Sequence, residues 1–138
     1  GDGARAVRTV PARLGVMAML RPIPKRILSQ TMTLHVPSAM DADQNATYTD
    51  TVVSHVHFQS DHRTLKQKDN TEIQTTGIIF ADARYSRPAL DYLALSVQAE
   101  AVGAQLRVTI DGQTLTILNV DAVPDDTGRL HHWEVTTV

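Results

Sequence analysis

The sequence predicts an all-β (mainly) fold: a small antiparallel β-barrel or sandwich with an N-terminal extension and at most one short helix. Three observations carry this prediction. Apolar residues alternate with period two from Thr31 onward, an Asp-Gly pair sits between two such runs, and clusters of turn residues cut the chain into short segments. At 138 residues the chain is the size of one domain and can bury a core without covalent staples. It divides into a basic extension over residues 1–20 and a β-domain over residues 21–138.

The elements follow in order. Residues 1–16 are rich in Gly, Ala and Arg with no clear period, so they read as an extension, and Met17 and Met19 are candidate starts of translation. The apolar stretch 14–20 is interrupted by Gly15 and is far shorter than a membrane span; its basic flank resembles a signal peptide without a cleavage site. Pro22 and Pro24 hold the next segment extended. Met32, Leu34 and Val36 then alternate with Thr31, Thr33 and His35, a half-buried strand expected to stop at Pro37. After a polar loop, residues 47–59 form a long β-branched strand, expected to place Val52, Val56 and Phe58 on one face and Val53, His55 and His57 on the other.

Residues 61–71 carry Arg63, Lys66, Lys68, Asp69 and Asn70 and read as an exposed loop, long for a hairpin connection. The strand pattern resumes over 72–80, with Gly77 a candidate bulge, and 82–88 is a turn. Residues 88–103 admit two readings. Leu90, Leu93, Ala94, Val97 and Ala101 make a helical face closed by Gly103, whereas Leu93, Leu95 and Val97 make a strand. Asp111-Gly112 is a two-residue hairpin turn that requires positive φ; counting outward pairs Ile110 with Gln113, Val108 with Leu115, Leu106 with Ile117, and Arg107 with Thr116. A second turn at 124–128 leads to a last strand, expected to set His131, Trp133 and Val135 opposite Leu130, His132 and Glu134.

The chemistry is bounded by what the chain contains. With no cysteine, disulfides, thiolate metal sites and thiol catalysis are excluded. The net charge of −2 is unevenly placed: residues 1–26 hold six basic residues against one acid, +5, leaving −7 for the remainder. A basic arm on an acidic body reads either as a disordered, solvated tail or as an arm that orders against an acidic neighbouring subunit, with Arg5, Arg8 and Arg13 as interface candidates; the acidic body argues against tight wrapping of nucleic acid. His55 and His57 have chelate spacing, with His62, His131, His132 and Glu134 as conceivable additions, but nothing in the spacing identifies a partner for each imidazole, so no metal is assigned. Neither a nucleophile elbow nor a glycine-rich phosphate cradle occurs, and Asp125 and Asp126 read as turn formers. Trp133 beside two histidines reads as a recognition hot spot or, by preference, as core; as core it leaves His132 and Glu134 on the opposite face as further interface candidates.

Three segments together carry a family resemblance: Arg21-Pro22-Ile23-Pro24-Lys25-Arg26-Ile27-Leu28, Ile78-Ile79-Phe80-Ala81-Asp82-Ala83, and the strand at 128–138 with its paired histidines beside Trp133. Over residues 22–138 the chain resembles the small minor capsid proteins of tailed bacteriophages, neck proteins that close a DNA-filled head and receive the tail. The resemblance implies a β-barrel head-closure, or stopper-like, protein that does structural work in the virion without catalysis, cofactor or metal, after assembly in the host cytoplasm. It further implies a homo-oligomeric ring of about six or twelve subunits, with a portal or adaptor protein above and a tail-terminator or tail-tube protein below. Packaged DNA passes through or is blocked without sequence-specific binding, and no membrane is involved. A loop from every stopper subunit reaches toward the ring axis; the matching segment here is 61–71, making Arg63, Lys66, Lys68, Asp69 and Asn70 channel-loop candidates. The basic extension and residues 90–102 depart from the pattern. The alternatives are an adaptor or tail-terminator ring of the same neck, a carbohydrate-binding sandwich, for which 4% aromatic residues are few, and a metal-dependent hydrolase using strand histidines.

Overall fold

The computed structural model describes residues 23–138. Nine elements follow one another: β1 (Gln30–Met40), β2 (Ala46–Ser60), β3 (Thr64–Lys66), β4 (Glu72–Gln74), β5 (Gly77–Asp82), α1 (Tyr92–Val102), β6 (Arg107–Ile110), β7 (Gln113–Pro124) and β8 (Leu130–Thr137). Six strands pair in the antiparallel cycle β1-β2-β5-β8-β7-β6, and β6 returns to β1, so the sheet closes on itself as a barrel. Closure removes the open edges that would otherwise template pairing with other chains. The short pair β3-β4 stands apart from that cycle.

The core follows the alternation. Met32 and Leu34 from β1, Val108 and Ile110 from β6, Leu115 and Ile117 from β7, and Val135 from β8 point inward and are buried. The β6-β7 hairpin has the register expected from Asp111-Gly112: Ile110 faces Gln113, Val108 faces Leu115 and Arg107 faces Thr116. Both turn residues have positive φ, 52° and 75°. The next turn is built on Asp125, whose Oδ1 accepts from the Thr127 amide and hydroxyl and from the Arg129 amide.

Four expectations are corrected, each for a local reason. β1 runs through Pro37 to Met40, because a register irregularity between Pro37 and Ala39 accommodates a residue with no ladder donor. In β2, Gln30 pairs with Val56 but Thr31 pairs with Ser54, so His55 is an extra residue at a bulge, with φ 60°. The bulge resets the alternation: Val53 and Val56 are both inside at 0% exposure, while Val52 lies outside at 61%. His55 Nδ1 meets the Leu28 carbonyl at 3.3 Å, and the His55 carbonyl accepts from the Ser86 hydroxyl, which itself accepts from the Asp82 amide. His55 and His57 therefore serve different neighbours, since His57 stacks on Phe80 at 6.1 Å.

Third, 72–80 is two strands rather than one, broken at Thr75, whose buried hydroxyl donates to the Asp61 carbonyl at 2.6 Å and accepts from the Arg63 amide at 2.9 Å. Gly77 opens β5 where Phe58 crosses it: a Cβ there would lie 2.6 Å from the ring, so the requirement is close approach. Fourth, β8 carries a bulge at His131, since His132 pairs with Val123 and Leu130 with Pro124. Both histidines are buried, with their Nδ1 atoms 2.8 Å apart, while Trp133 enters the core as expected.

Residues 92–102 are helical. Asp91 caps α1 by accepting from the Ala94 amide at 3.0 Å, and Gly103 ends it in the left-handed region at φ 90°. The inward face differs from the expected one. Tyr92 and Ala99 are buried and Leu95 packs on the core, with Tyr92 edge-on to Trp133 at 5.7 Å. Leu93, Ala94, Val97 and Ala101 face outward, with Leu93 50% and Val97 60% exposed. The helix is apolar on both sides, and the Tyr92-Trp133 contact decides which side packs.

Candidate functional site

The segment expected to be a loop at 61–71 is the first half of an ordered β-hairpin, a correction with a simple cause. Leu65 in β3 lies across from Ile73 in β4, flanked by the Thr64-Gln74 and Lys66-Glu72 pairs. That one apolar pair holds two short strands that are otherwise polar. The turn is closed by Gln67 N donating to the Thr71 carbonyl at 2.8 Å and Asn70 N to the Gln67 carbonyl at 3.0 Å, with Asn70 at φ 69°. Asp69 Oδ1 accepts from the Thr71 hydroxyl at 2.6 Å and the Thr71 amide at 3.1 Å. Those two bonds, the hydroxyl first, hold the Asp69 carboxyl below its ordinary value of 3.8.

The hairpin is anchored at its base and exposed at its tip. Thr75 ties both legs together, Asp61 N donates to the Thr76 carbonyl, and Thr76 N reaches the Thr137 carbonyl on β8 at 2.8 Å. Arg63 pairs with Asp61 at 2.6 Å, which leaves Lys66, Lys68, Asp69 and Asn70 exposed at the far end. Between the hairpin and the barrel wall runs an open groove of about 930 Å³, lined on one side by Leu65, Lys66 and Ile73 and on the other by Glu100, Leu118 and Asp121. The five channel-loop candidates thus share one structural unit.

The other candidates lie elsewhere. Arg5, Arg8 and Arg13 fall outside the described residues. His132 is 6% exposed and its Nε2 lies 2.9 Å from Glu134 Oε2, while its ring packs against Phe80 at 5.8 Å. His132 therefore offers little surface, and Glu134 is half-buried. Among the described residues no group of three or more His, Asp or Glu side chains is arranged to hold a metal.

One arrangement escaped the sequence reading because it spans three strands. Asp50 Oδ1 lies 2.6 Å from His35 Nδ1, His35 Nε2 lies 2.7 Å from the Thr109 hydroxyl, and Thr109 meets the Thr114 hydroxyl at 2.9 Å. The order of contacts is that of an acyl-transfer triad. The setting is different: Thr109 sits on an outer wall with its strand paired on both sides, to Thr33 and to Thr114, so its place is that of a ladder residue. The β1-β6 seam that closes the barrel is only three residue pairs long, and this side-chain chain reinforces it. The arrangement is a structural clasp.

Comparison with known proteins bears on the role of such a scaffold. No curated protein and no solved structure matches the chain. Residues 24–137, nearly all of the described chain, match the family model described as "Minor capsid protein". With a closed barrel, a projecting hairpin and that match over most of its length, the chain belongs to the bacteriophage minor capsid protein family, whose members do structural work in the virion.

Proposed function

We propose that the protein is the head-closure subunit of a tailed-phage neck: copies form a ring on the portal-adaptor complex, retain the packaged DNA and offer the surface to which the tail attaches. The observation that carries this reading is the β3-β4 hairpin, which stands outside the barrel's hydrogen-bonded cycle and is fixed only at its base. A hairpin built this way can be placed by the barrel and still present its tip to identical tips around a symmetry axis. Many weak contacts there act together as one gate. Lys66 and Lys68 near the tip suit the approach of DNA phosphates without base reading. The outward stripe of α1 gives the ring a means of assembly, because Leu93 and Val97 leave apolar surface for a neighbouring subunit to cover.

Replacing residues 64–74 by a short Gly-Ser connection tests the reading in assembled particles. The barrel and ring should form, and the heads should lose DNA before tail joining. Shortened-hairpin particles that retain DNA and infect normally would move closure to another protein and favour an adaptor or terminator role.

A further inference from the structure

Residues 23–138 hold nine lysines and arginines against fourteen acids, yet five of the nine fall on three segments that meet around Tyr85. Lys25 and Arg26 lie on the turn before β1, Arg84 and Arg87 on the loop between β5 and α1, and Arg129 in the turn before β8. Lys25 Nζ is 5.8 Å and the Arg84 guanidinium carbon 5.7 Å from the centre of the Tyr85 ring. Arg84 and Arg129 line one open cavity of about 170 Å³. All five residues are exposed, and none forms an ion pair with a described residue, whereas Arg63 in the hairpin is held by Asp61.

The backbone beneath these cations is fixed. Arg87 and Ser54 of β2 exchange backbone hydrogen bonds at 2.9 and 3.3 Å, and Arg87 Nη1 donates to the Ser86 carbonyl at 2.9 Å. The neighbouring acids are engaged: Asp82 is 4% exposed and accepts from the Arg84 amide at 2.8 Å, and Asp91 caps α1. Thr127 and, more weakly, the charge of Arg129 hold the Asp125 carboxyl below its ordinary value of 3.8, so Arg129 is partly offset. Like charges gathered in this way repel one another, and an anionic partner relieves the repulsion. The cations are spread around a ring on three loops, which suits a line of negative charges better than one small anion. Arginine over an aromatic ring keeps its in-plane donors for phosphate oxygens. Because they sit on loops, with no strand or helix among them to enter a groove, they fit a phosphate backbone and leave base edges unread. Ile27 and Leu130 beside them are 42% and 37% exposed, which an acidic protein would use, but five cations to two apolar side chains favour phosphate.

We propose that the face around Tyr85 binds the phosphate backbone of duplex DNA without reading its sequence. The other four lysines and arginines of residues 23–138 are outnumbered by acids, so repulsion from the rest of the barrel restricts contact to this face. The face is separate from the hairpin tip, where Lys66 and Lys68 lie, and its binding does not depend on ring assembly.

The test is anisotropy of a labelled mixed-sequence duplex titrated with the full chain. About four phosphate contacts should raise the dissociation constant roughly a hundredfold between about 50 and 200 mM salt. Lys25→Gln and Arg84→Gln should each flatten the logarithmic salt dependence by about one contact, and Arg129→Gln by less. The comparison is Arg107→Gln, an exposed arginine on β6 outside this face, which should leave the dependence unchanged. Residues 1–22 are present in every variant, so their charge cancels in the comparison. No binding at the lowest salt, or a dependence that Lys25→Gln and Arg84→Gln leave intact, overturns the proposal. An equal loss with Arg107→Gln also overturns it, because the attraction would then be diffuse. Poly-glutamate that displaces the labelled duplex as well as unlabelled duplex does, at equal charge, would reassign the face to an acidic protein and overturn it too. All four substitutions leave the hairpin untouched, so the head-closure reading stands or falls separately.

Discussion

Gly77→Ala probes a close approach between β2 and β5. A Cβ at Gly77 would lie 2.6 Å from Phe58 Cε1 and Cζ and 2.7 Å from the Gln59 carbonyl oxygen. Those distances are roughly 1 Å inside ordinary carbon-carbon contact. The Phe58 ring can swing aside, but the Gln59 carbonyl belongs to the β2-β5 ladder, where Ser60 pairs with Gly77 and Gln59 with Ile78. The backbone must shift, and the Gly77 carbonyl also holds the buried Thr137 hydroxyl at 3.0 Å. Overpacking of this kind costs about 1–3 kcal/mol, and loosening the Thr137 bond adds about 1 kcal/mol. For a domain of this size the sum lowers Tm by roughly 10 °C. The comparison is Gly112→Ala, where φ is 75° but nothing lies within 4 Å, so only backbone strain of about 1 kcal/mol applies. Thermal and urea unfolding of both variants, with Phe58→Leu added to Gly77→Ala to release the ring, measure the terms. A Gly77→Ala variant that melts within about 2 °C of the parent, or above Gly112→Ala, would refute the close-approach reasoning.

Three further outcomes are expected. Val53→Ala should destabilise by about 2 kcal/mol while Val52→Ala stays within about 0.5 kcal/mol; urea midpoints that reversed this order would move the bulge away from His55. His35→Ala cuts the clasp across the β1-β6 seam and should cost about 1–2 kcal/mol, with faster hydrogen exchange at Thr33 and Thr109; unchanged exchange there would mean the backbone seals the seam unaided. Burial raises the Tyr92 phenol well above the ordinary tyrosine value of 10.0. Because the folded state favours the protonated form, its contribution to stability is intact below that value and declines as pH rises beyond it. Alkaline difference spectra should therefore show one of the three tyrosines ionising only on unfolding, and Tyr92→Phe should remove that step.

Much of the barrel was legible because local chemistry and long-range pairing agree in it. Asp111-Gly112 sets a turn whose outward count places Val108 against Leu115, and burial on one face then fixes the register. Where an extra residue enters a strand, alternation misleads: His55 inverts the expected faces of Val52 and Val53, and His131 brings two neighbouring histidines together. No local signal marks either bulge, since each depends on what the strand must reach, Ser86 in one case and the turn at Asp125 in the other. Residues 92–102 were ambiguous because the helix is apolar on both sides. The hairpin was half visible: its polarity marked 61–71 as exposed, while Leu65 and Ile73, eight residues apart around Asp69-Asn70, were the signal for pairing. The Asp50-His35-Thr109 clasp was invisible because its members meet only once the barrel closes.

Imaging the neck of intact particles at a resolution that traces this chain tests the head-closure account most directly. The account predicts a closed ring of identical barrels between portal-adaptor and tail, with Lys68 and Asn70 at the hairpin tips converging on the channel axis and the Leu93-Val97 stripe covered by the adjacent subunit. Barrels distributed over the head shell, or a neck ring whose hairpins point away from the channel, would contradict it.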